Sequence, residues 1–317
     1  MNTNKQYSFQ VQTEVLTQNL RALLSISTIS FMAIASIYLI SDTNYLIKAL
    51  GVVILNLQIW AWFSIMHSCG HGAYFTSKRL NTLIGFIASL FCFIPFHSWQ
   101  DFHNTHHLWT GHFDKDPTAP FIGDFKKSDI RLLNILWKYW FPILSLSHTF
   151  THLWNYKAYL KLFKKEQRNA KLKKFLASCL FIIFFHIVLG SSIGISNYLL
   201  VLAGLLLFLI SADTVLTSQH SMIPMKEVSA QSRPLHTSKH GQYTRSICFG
   251  KLINQYILLN FNEHHKHHRH PLIPHFYLNQ MKENEQDERV DALEWSKRIR
   301  STHLRDILVS VKEGKNE

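Results

Sequence analysis

Four long apolar stretches, arranged as two close pairs, restrict the fold of this chain more than any other feature of its sequence. They cover about residues 23–40, 46–66, 175–190 and 198–216, with almost no charged side chains inside them. A helix needs about 20 mainly apolar residues to cross the hydrocarbon core of a bilayer. Short connections join the two members of each pair. We therefore expect an all-α integral membrane protein with four transmembrane helices in two hairpins.

The distribution of basic residues predicts the orientation of these helices. Residues 157–174 carry eight lysine and arginine residues, whereas the connection at 190–197 carries none, in a chain with a net charge of +13. Positively charged segments stay preferentially on the cytoplasmic side of a membrane. We expect both termini to be cytoplasmic. A cytosolic cap from 67–174 and 217–317 then completes a single membrane domain over residues 1–317.

Three weaker patterns lie within the expected cap. Residues 82–96 are apolar but short for a span, which favours a re-entrant or interfacial segment. Residues 130–150 are rich in aromatic side chains but also contain charged ones, which is typical of a helix in the membrane interface. Within 285–311, helical spacing predicts a cytosolic amphipathic helix with the apolar positions Val290, Leu293, Ile299, Leu304 and Ile307.

The composition also argues against a nucleic-acid-binding protein, a zinc-knuckle protein and a disulfide-stabilised protein. The basic residues flank the apolar stretches, and the sequence has no recognisable nucleic-acid-binding module. We therefore expect the basic residues to contact anionic membrane lipids, and we expect no nucleic-acid partner. Cys69, Cys92, Cys179 and Cys248 are far apart and form no CxxC pair. This spacing indicates neither a zinc knuckle nor a disulfide framework, and it favours reduced thiols.

Histidine is concentrated in three clusters on the expected cytoplasmic side. The first has the pattern HxxxH directly after the second apolar stretch, and the other two have the pattern HxxHH: His67, His71; His103, His106, His107; His264, His267, His268. Spacings of three and four place side chains on one helical face, whereas adjacent residues point in different directions. Neutral imidazole is a common metal ligand. This pattern favours two metal ions that share one set of ligands.

The sequence around these clusters resembles the membrane fatty acid desaturase family over about residues 46–280. HSCGHGAYFTSKRLN (67–81), HNTHHLWTGHFDKDP (103–117) and NFNEHHKHHRHPLIPHF (260–276) are similar to its three histidine boxes, and Gln242–Ser246 is also family-like. The resemblance implies four spans and a cytosolic cap that holds a non-haem di-iron centre. It makes the eight clustered histidines iron ligands. His220 takes the place of a ninth ligand in the acyl-CoA branch, although Leu216 stands where that branch has asparagine.

Other side chains are candidates for orienting these imidazoles, because histidine ligands need a partner for the second ring nitrogen. They lie next to the boxes or on the helical face of His220: Asp101, Asp114, Asp116, Asp213, Asn260 and Glu263. The alternative is that they are solvated cap residues or, for Asp213, that it lies in the interface. His265 and His270 are expected to be solvated or to support the ligands, and His112 to support the second box.

The resemblance implies an enzyme that uses O2 and two iron ions to introduce a C=C bond into a long acyl chain, carried as a lipid or a thioester. Trp99, Trp109 and residues 91–96 are candidate walls of its substrate tunnel. No haem, flavin or dinucleotide motif is recognisable, so we expect a separate electron donor of the ferredoxin or cytochrome b5 type. A hydroxylase or carotenoid ketolase of the same superfamily is one alternative. A histidine-rich metal transporter, with ligands near mid-membrane, is another.

Overall fold

The computed structural model describes residues 3–113, 115–118, 135, 138–139, 142–143, 146, 149–226 and 233–302, with side chains from Glu14 onward. Nine α-helices and two strands are formed by these residues. The helices are α1 (Thr3–Ile40), α2 (Tyr45–Gly70), α3 (Lys78–Cys92), α4 (Phe96–Trp109), α5 (Tyr156–Lys161), α6 (Arg168–Ile193), α7 (Ile195–His220), α8 (His264–Arg269) and α9 (Ala292–Ser301). The strands are β1 (Arg245–Cys248) and β2 (Glu288–Asp291).

Four of these helices are long and apolar enough to cross a membrane, which confirms the predicted spans. They are Glu14–Ile40 within α1, α2, the segment Lys165–Ile193 that includes α6, and α7. Each helix extends beyond its apolar stretch, because helical hydrogen bonding continues through the polar residues at its ends. The Asn44 side chain begins α2 by accepting a hydrogen bond from the backbone N–H of Leu46 at 2.9 Å.

The two predicted hairpins are present, and α2 occupies the centre of the helical bundle. Gly194 alone joins α6 to α7, with a positive φ of 81° that glycine adopts without steric cost. Near the end of α2 that carries the first histidine box, Phe63 packs against Phe208 of α7 at 5.7 Å and against Phe261 at 5.3 Å between ring centroids. This layer of aromatic rings packs next to the histidines at that end of α2 and supports them.

Helices α3 and α4 form a sharply bent pair, as the re-entrant interpretation of residues 82–96 predicts. Their axes differ by 106° across the break. Phe93 has a positive φ of 56° at the break, and Pro95 precedes the first residue of α4. The rings of His71, before α3, and His103, in α4, are 4.8 Å apart. The chain therefore returns to the end of the bundle from which it departed.

A close contact at Gly85 fixes the angle between α3 and its neighbours. A Cβ atom at this position would overlap the Phe96 ring and lie 3.0 Å from the Cβ atom of Cys69. We expect Gly85→Ala to reduce stability by about 1–3 kcal/mol, because Phe96 is fully buried and has no free space to move into. A thermal melt of the purified protein measures this loss. Leu83→Ala, on the exposed face of α3, is the control and should melt close to the wild type.

The segment expected to form one amphipathic helix over 285–311 is different in the structure. Residues Glu288–Asp291 form β2, which pairs in parallel with β1 and places Val290 opposite Ile247. The Asp291 side chain then accepts a hydrogen bond from the backbone N–H of Leu293 and begins α9. Pairing with β1 overrides the local helical pattern, because it buries Val290 against Ile247. Leu304, Ile307 and most of 130–150 lie outside the described residues.

Candidate metal centre

Five histidines converge at the end of α2 that carries the first histidine box. They come from the end of α2 and the residue that follows it, from α4 and from α8. Their possible ligand atoms all lie within 4.8 Å of one another: His67, His71, His103, His107, His267. The Nε2 atom of His107 is 3.1 Å from Nε2 of His103 and 3.0 Å from Nε2 of His267. We call this group the five-histidine cluster.

A second group lies directly beside the first. His106, His220 and His268 have possible ligand atoms within 4.8 Å of one another. His264 joins them, because its Nε2 atom is 2.8 Å from Nε2 of His220 and its ring centroid is 4.5 Å from that of His268. We call these four residues the four-histidine cluster. It includes His220, at the last residue of α7.

Adjacent histidines divide between the two clusters. His106 and His107 are neighbours on α4, yet His106 lies in the four-histidine cluster and His107 in the five-histidine cluster. His267 and His268 on α8 divide in the same way. The clusters remain close, since the rings of His107 and His268 stack with centroids 4.1 Å apart. The structure thus brings all nine sequence-predicted ligands together around two adjacent points.

Unpartnered nitrogen atoms show that this arrangement fits metal ions. The Nε2 atoms of His67, His71 and His268 are buried and have no hydrogen-bond partner among the described residues. A buried polar atom without a partner is costly unless something else binds it. Imidazole nitrogen suits iron among the transition metals. The donor set and its unsatisfied atoms therefore fit two iron ions.

Burial favours the neutral form of several imidazoles in the two clusters. Burial, followed by repulsion from neighbouring imidazoles, lowers the pKa of His103, His107, His264, His267 and His268 well below the ordinary value. Burial, followed by the proximity of His106, lowers the pKa of His71 to about 3. Only a neutral imidazole offers a lone pair to a metal. The site is therefore prepared for metal at neutral pH.

Asp116 is the predicted acid that contacts one of the candidate ligands, His106. Its carboxylate accepts from Nδ1 of His106, with the two oxygens 2.8 and 2.9 Å away, and both side chains are buried. This bond places the His106 proton on Nδ1 and leaves the Nε2 lone pair for a metal. Thr118, which sequence reasoning missed, donates its hydroxyl to Asp116 at 2.7 Å. Asp-Pro-Thr is a typical turn sequence that could have indicated this contact.

Two other predicted acids have different partners. Asp101 accepts from the Tyr159 hydroxyl at 2.8 Å and forms an ion pair with Lys171 at 2.8 Å, so it fastens α4 to α5 and α6. Glu263 pairs with Arg289 at 2.6 Å and with Lys266 at 3.1 Å. Both carboxylates satisfy nearby cations, and neither orients an imidazole of the two clusters among the described residues.

The remaining predicted supporting residues are further from the imidazoles or not described. Asp213 accepts two hydrogen bonds from Thr149, both at 3.0 Å, and so holds the segment before α5 against α7. Asn260 has φ 64° and Leu259 φ 48°, a rare pair of left-handed residues in the turn before α8. That turn directs the third box back toward the clusters. Asp114 lies outside the described residues.

The histidines within and after the boxes differ in their surroundings, and two of them have side-chain partners. His265, which we expected to be solvated or to support the ligands, is fully buried and its Nδ1 is 2.5 Å from the Ser246 hydroxyl. His270 is exposed, as expected for a solvated side chain. His112 is buried, and its backbone forms an isolated bridge with Lys226. His275, which had no spacing argument, is also buried, with Nδ1 2.6 Å from the Ser68 hydroxyl.

Arg245 holds the end of α7 that carries His220. Its guanidinium group is buried and donates to the backbone carbonyls of Ser218 at 2.9 Å and Ser221 at 2.6 Å. It also pairs with Glu288 of β2 at 2.9 Å. The last carbonyls of a helix lack partners within that helix, so this side chain satisfies them. The small sheet is thereby connected to the four-histidine cluster.

Replacing Arg245 is expected to destabilise this end of α7. Arg245→Leu leaves the two carbonyls unsatisfied and should lower stability by about 2–4 kcal/mol. Arg298→Leu is the matched control, because Arg298 also pairs with Glu288, at 3.0 Å, but is half exposed. A surface ion pair contributes at most about 1 kcal/mol. Thermal melts of both variants test the difference, and equal melting temperatures would contradict the role of Arg245.

A small cavity of about 80 Å³ contacts both clusters. His103 of the five-histidine cluster lines it, together with three histidines of the other cluster: His106, His220 and His264. Its remaining wall is mainly apolar and includes Trp99, one of the predicted tunnel residues: Trp99, Phe102, Leu153, Leu216. Trp109 and residues 91–96 do not line this cavity. The Trp109 ring instead lies against the Lys115 ammonium group, 4.1 Å away.

Fold and site together define a helical membrane protein with a histidine-rich centre for metal at one end of its bundle. A family model described as fatty acid desaturase matches residues 43–297. The chain therefore belongs to the fatty acid desaturase family, which confirms the resemblance seen in the histidine boxes.

Named relatives agree with this assignment. The chain is 26% identical over 233 residues to an "Omega-3 fatty acid desaturase, endoplasmic reticulum" of Vigna radiata var. radiata, covering 70% of this chain and 60% of the relative. It is 24% identical over 253 residues to an "Omega-3 fatty acid desaturase, chloroplastic" of Brassica napus, covering 74% and 60%. A "sn-1 acyl-lipid omega-3 desaturase (ferredoxin)" of Synechocystis sp. is 30% identical over 93 residues, covering 29% of this chain and 26% of the relative. The first two matches span less than two thirds of those relatives.

Proposed function

We propose that this protein is an oxygen-dependent acyl desaturase that introduces a C=C bond into a long acyl chain at a di-iron centre. The observation that carries the proposal is the meeting of nine histidines in two adjacent clusters beside an apolar cavity. Membership of the fatty acid desaturase family supports the same reaction. The five-histidine cluster would hold one iron ion and the four-histidine cluster the other.

Bound iron would supply the dioxygen chemistry that breaks unactivated methylene C–H bonds, which acid–base groups cannot do. The protein contributes positioning and exclusion of water. Asp116 holds His106 with its Nδ1 proton directed away from the cluster. Trp99 and Phe102 form an apolar wall beside His103, so an acyl chain in the cavity would lie next to both clusters. The apolar lining favours a methylene chain over a polar substrate.

The names of the relatives and the distribution of charge support three further parts of the proposal. These are the carrier of the acyl chain, the electron donor and the orientation of the protein in the membrane. Acyl lipid is the substrate class that we propose first, since the Synechocystis relative is called an acyl-lipid desaturase that uses ferredoxin. A small acidic donor of that kind, or of the cytochrome b5 type, would be attracted to the basic surface. The lysine-rich segment 157–174, which includes the first turns of α6, lies on the histidine side, because Lys171 pairs with Asp101 of α4. By the positive-inside rule, that side is cytoplasmic.

Expression in a host with known lipids tests the proposal. We expect gas chromatography with mass spectrometry to find new double bonds in the fatty acids of cells that make the wild type. His268→Ala should abolish them, because it removes a buried imidazole with an unpartnered Nε2 atom. His270→Ala is the matched control, since His270 is exposed and lies two residues further along the chain.

The products also distinguish the alternatives. Hydroxylated fatty acids or oxygenated carotenoids that depend on His268 would replace the desaturase proposal with a hydroxylase or ketolase of the same superfamily. Unchanged lipids, together with metal uptake that depends on His268, would support a transporter. Both clusters lie at helix ends, whereas a transporter is expected to bind its ion near mid-membrane.

A further inference from the structure

A second cavity lies inside the membrane-spanning part of the molecule, apart from the histidine clusters. It has a volume of about 410 Å³, within the range of ligand-binding pockets, and is bounded by α1, α2, α3, α6 and α7. No residue that lines it also lines the cavity beside the clusters. Ile34, one of its wall residues, is 71% exposed on the outer surface of α1. The cavity is therefore accessible from the lipid.

Three polar side chains lie in this mainly apolar wall, Ser30, Gln58 and His186, and the last two have buried atoms without a hydrogen-bond partner among the described residues. Gln58 is 1% exposed, and neither its amide nitrogen nor its amide oxygen has a hydrogen-bond partner among the described residues. It lies at the middle of α2, about 14 Å along the helix from His67. An unsatisfied amide at this depth is costly. It has lost its hydrogen bonds to water, and the hydrocarbon chains of lipids offer none in exchange.

His186 of α6 provides a second unsatisfied group in the same wall. Its Nε2 atom is 3.1 Å from the carbonyl oxygen of Leu90, which can only accept, so Nε2 carries the proton. In the neutral ring, Nδ1 is then an acceptor, and it has no partner among the described residues. His186 also lines a cavity of about 640 Å³ between α6 and α7, so the ring can be approached from two sides.

We propose that this cavity binds a neutral lipid that carries a free hydroxyl group. A hydroxyl can donate to Nδ1 of His186 and accept from the amide nitrogen of Gln58, which matches the unused donor and acceptor. A charged head group does not fit, because the described lining residues include no cation or carboxylate. The rest of the wall, including Phe91 and Leu205, is suited to an alkyl chain.

Binding to the full-length protein in phosphatidylcholine nanodiscs tests this proposal. The probe is tritiated oleyl alcohol, with oleyl methyl ether, which cannot donate a hydrogen bond, as competitor. We expect the alcohol to bind the wild type roughly three- to tenfold more tightly than the ether, the effect of one hydrogen bond. Competition by dioleoylglycerol distinguishes a diacyl source of the hydroxyl from a single-chain alcohol, and either result supports the proposal.

Variants assign the binding to the two polar groups. Gln58→Leu and His186→Phe should each weaken alcohol binding roughly three- to tenfold, while His186→Phe should leave ether binding unchanged. Ile37→Leu, in the same wall, is the control. A thermal melt checks that each variant is folded. A wild type that binds neither probe overturns the proposal, and so does a folded Gln58→Leu variant that binds the alcohol as tightly as the wild type.

Discussion

Removing ligands from one cluster at a time is expected to release about half of the bound iron, while each variant loses all double-bond formation. The double variant His67→Ala/His71→Ala leaves three histidines in the five-histidine cluster. His220→Ala leaves three in the four-histidine cluster. Each change should empty only its own site, because the two clusters draw on different residues. Activity should vanish in both variants, because the proposed reaction needs both iron ions.

Iron per chain, measured by mass spectrometry of purified protein, provides the first readout, and fatty acid analysis provides the second. His270→Ala should keep both iron and activity, since its side chain is exposed and outside both clusters. A variant that loses all of its iron would mean that the two clusters form one indivisible site. A wild type that contains zinc in place of iron would contradict the redox function altogether.

Asp116→Asn is expected to reduce double-bond formation by about 10- to 100-fold while the protein remains folded. The size of this effect is typical for the loss of a partner that orients a histidine ligand. The carboxylate accepts from His106 at 2.8 Å, and an amide in its place loses the negative charge and can turn its NH2 group toward the ring. The iron of the four-histidine cluster should become easier to remove with a chelator.

Asp101→Asn is the comparison for this change. Asp101 also lies beside the second histidine box, but among the described residues its carboxylate binds Tyr159 and Lys171 and none of the nine clustered histidines. Its replacement should lower the melting temperature and leave the ease of iron removal unchanged. Equal chelator sensitivity in the Asp116 and Asp101 variants would show that Asp116 supports only the fold.

Local sequence was sufficient for the spans and for the identity of the candidate ligands. An apolar stretch such as 46–66 must lie in lipid wherever the rest of the chain folds, because its transfer from water depends on its own composition. Histidine spacings of three and four likewise fix one helical face without any distant contact. For this reason the sequence predicted the four helices and the eight histidines of the three boxes, whereas His220 was expected only from the family resemblance.

Local sequence was misleading where a distant contact decides the structure. Val290 fits a helical pattern, yet it lies in a strand because β1 offers Ile247 as a buried partner. Asp101 and Asp116 have similar positions beside the second box, but only Asp116 meets an imidazole. Their roles depend on where Lys171 and Thr118 lie, and the sequence spacing contains no such information.

The sequence by itself predicted a membrane protein with three clusters of candidate metal-binding histidines, because both features follow from residues close together in the chain. The tertiary structure alone decided how those histidines divide. Helices α2, α4, α7 and α8 meet so that His106 and His107 serve different clusters, with His220 completing one of them. It also placed Gln58 in a mainly apolar cavity, where its amide has no hydrogen-bond partner in the part of the chain that the structure describes. These features depend on the packing of distant helices, which determines the direction and the neighbours of each side chain.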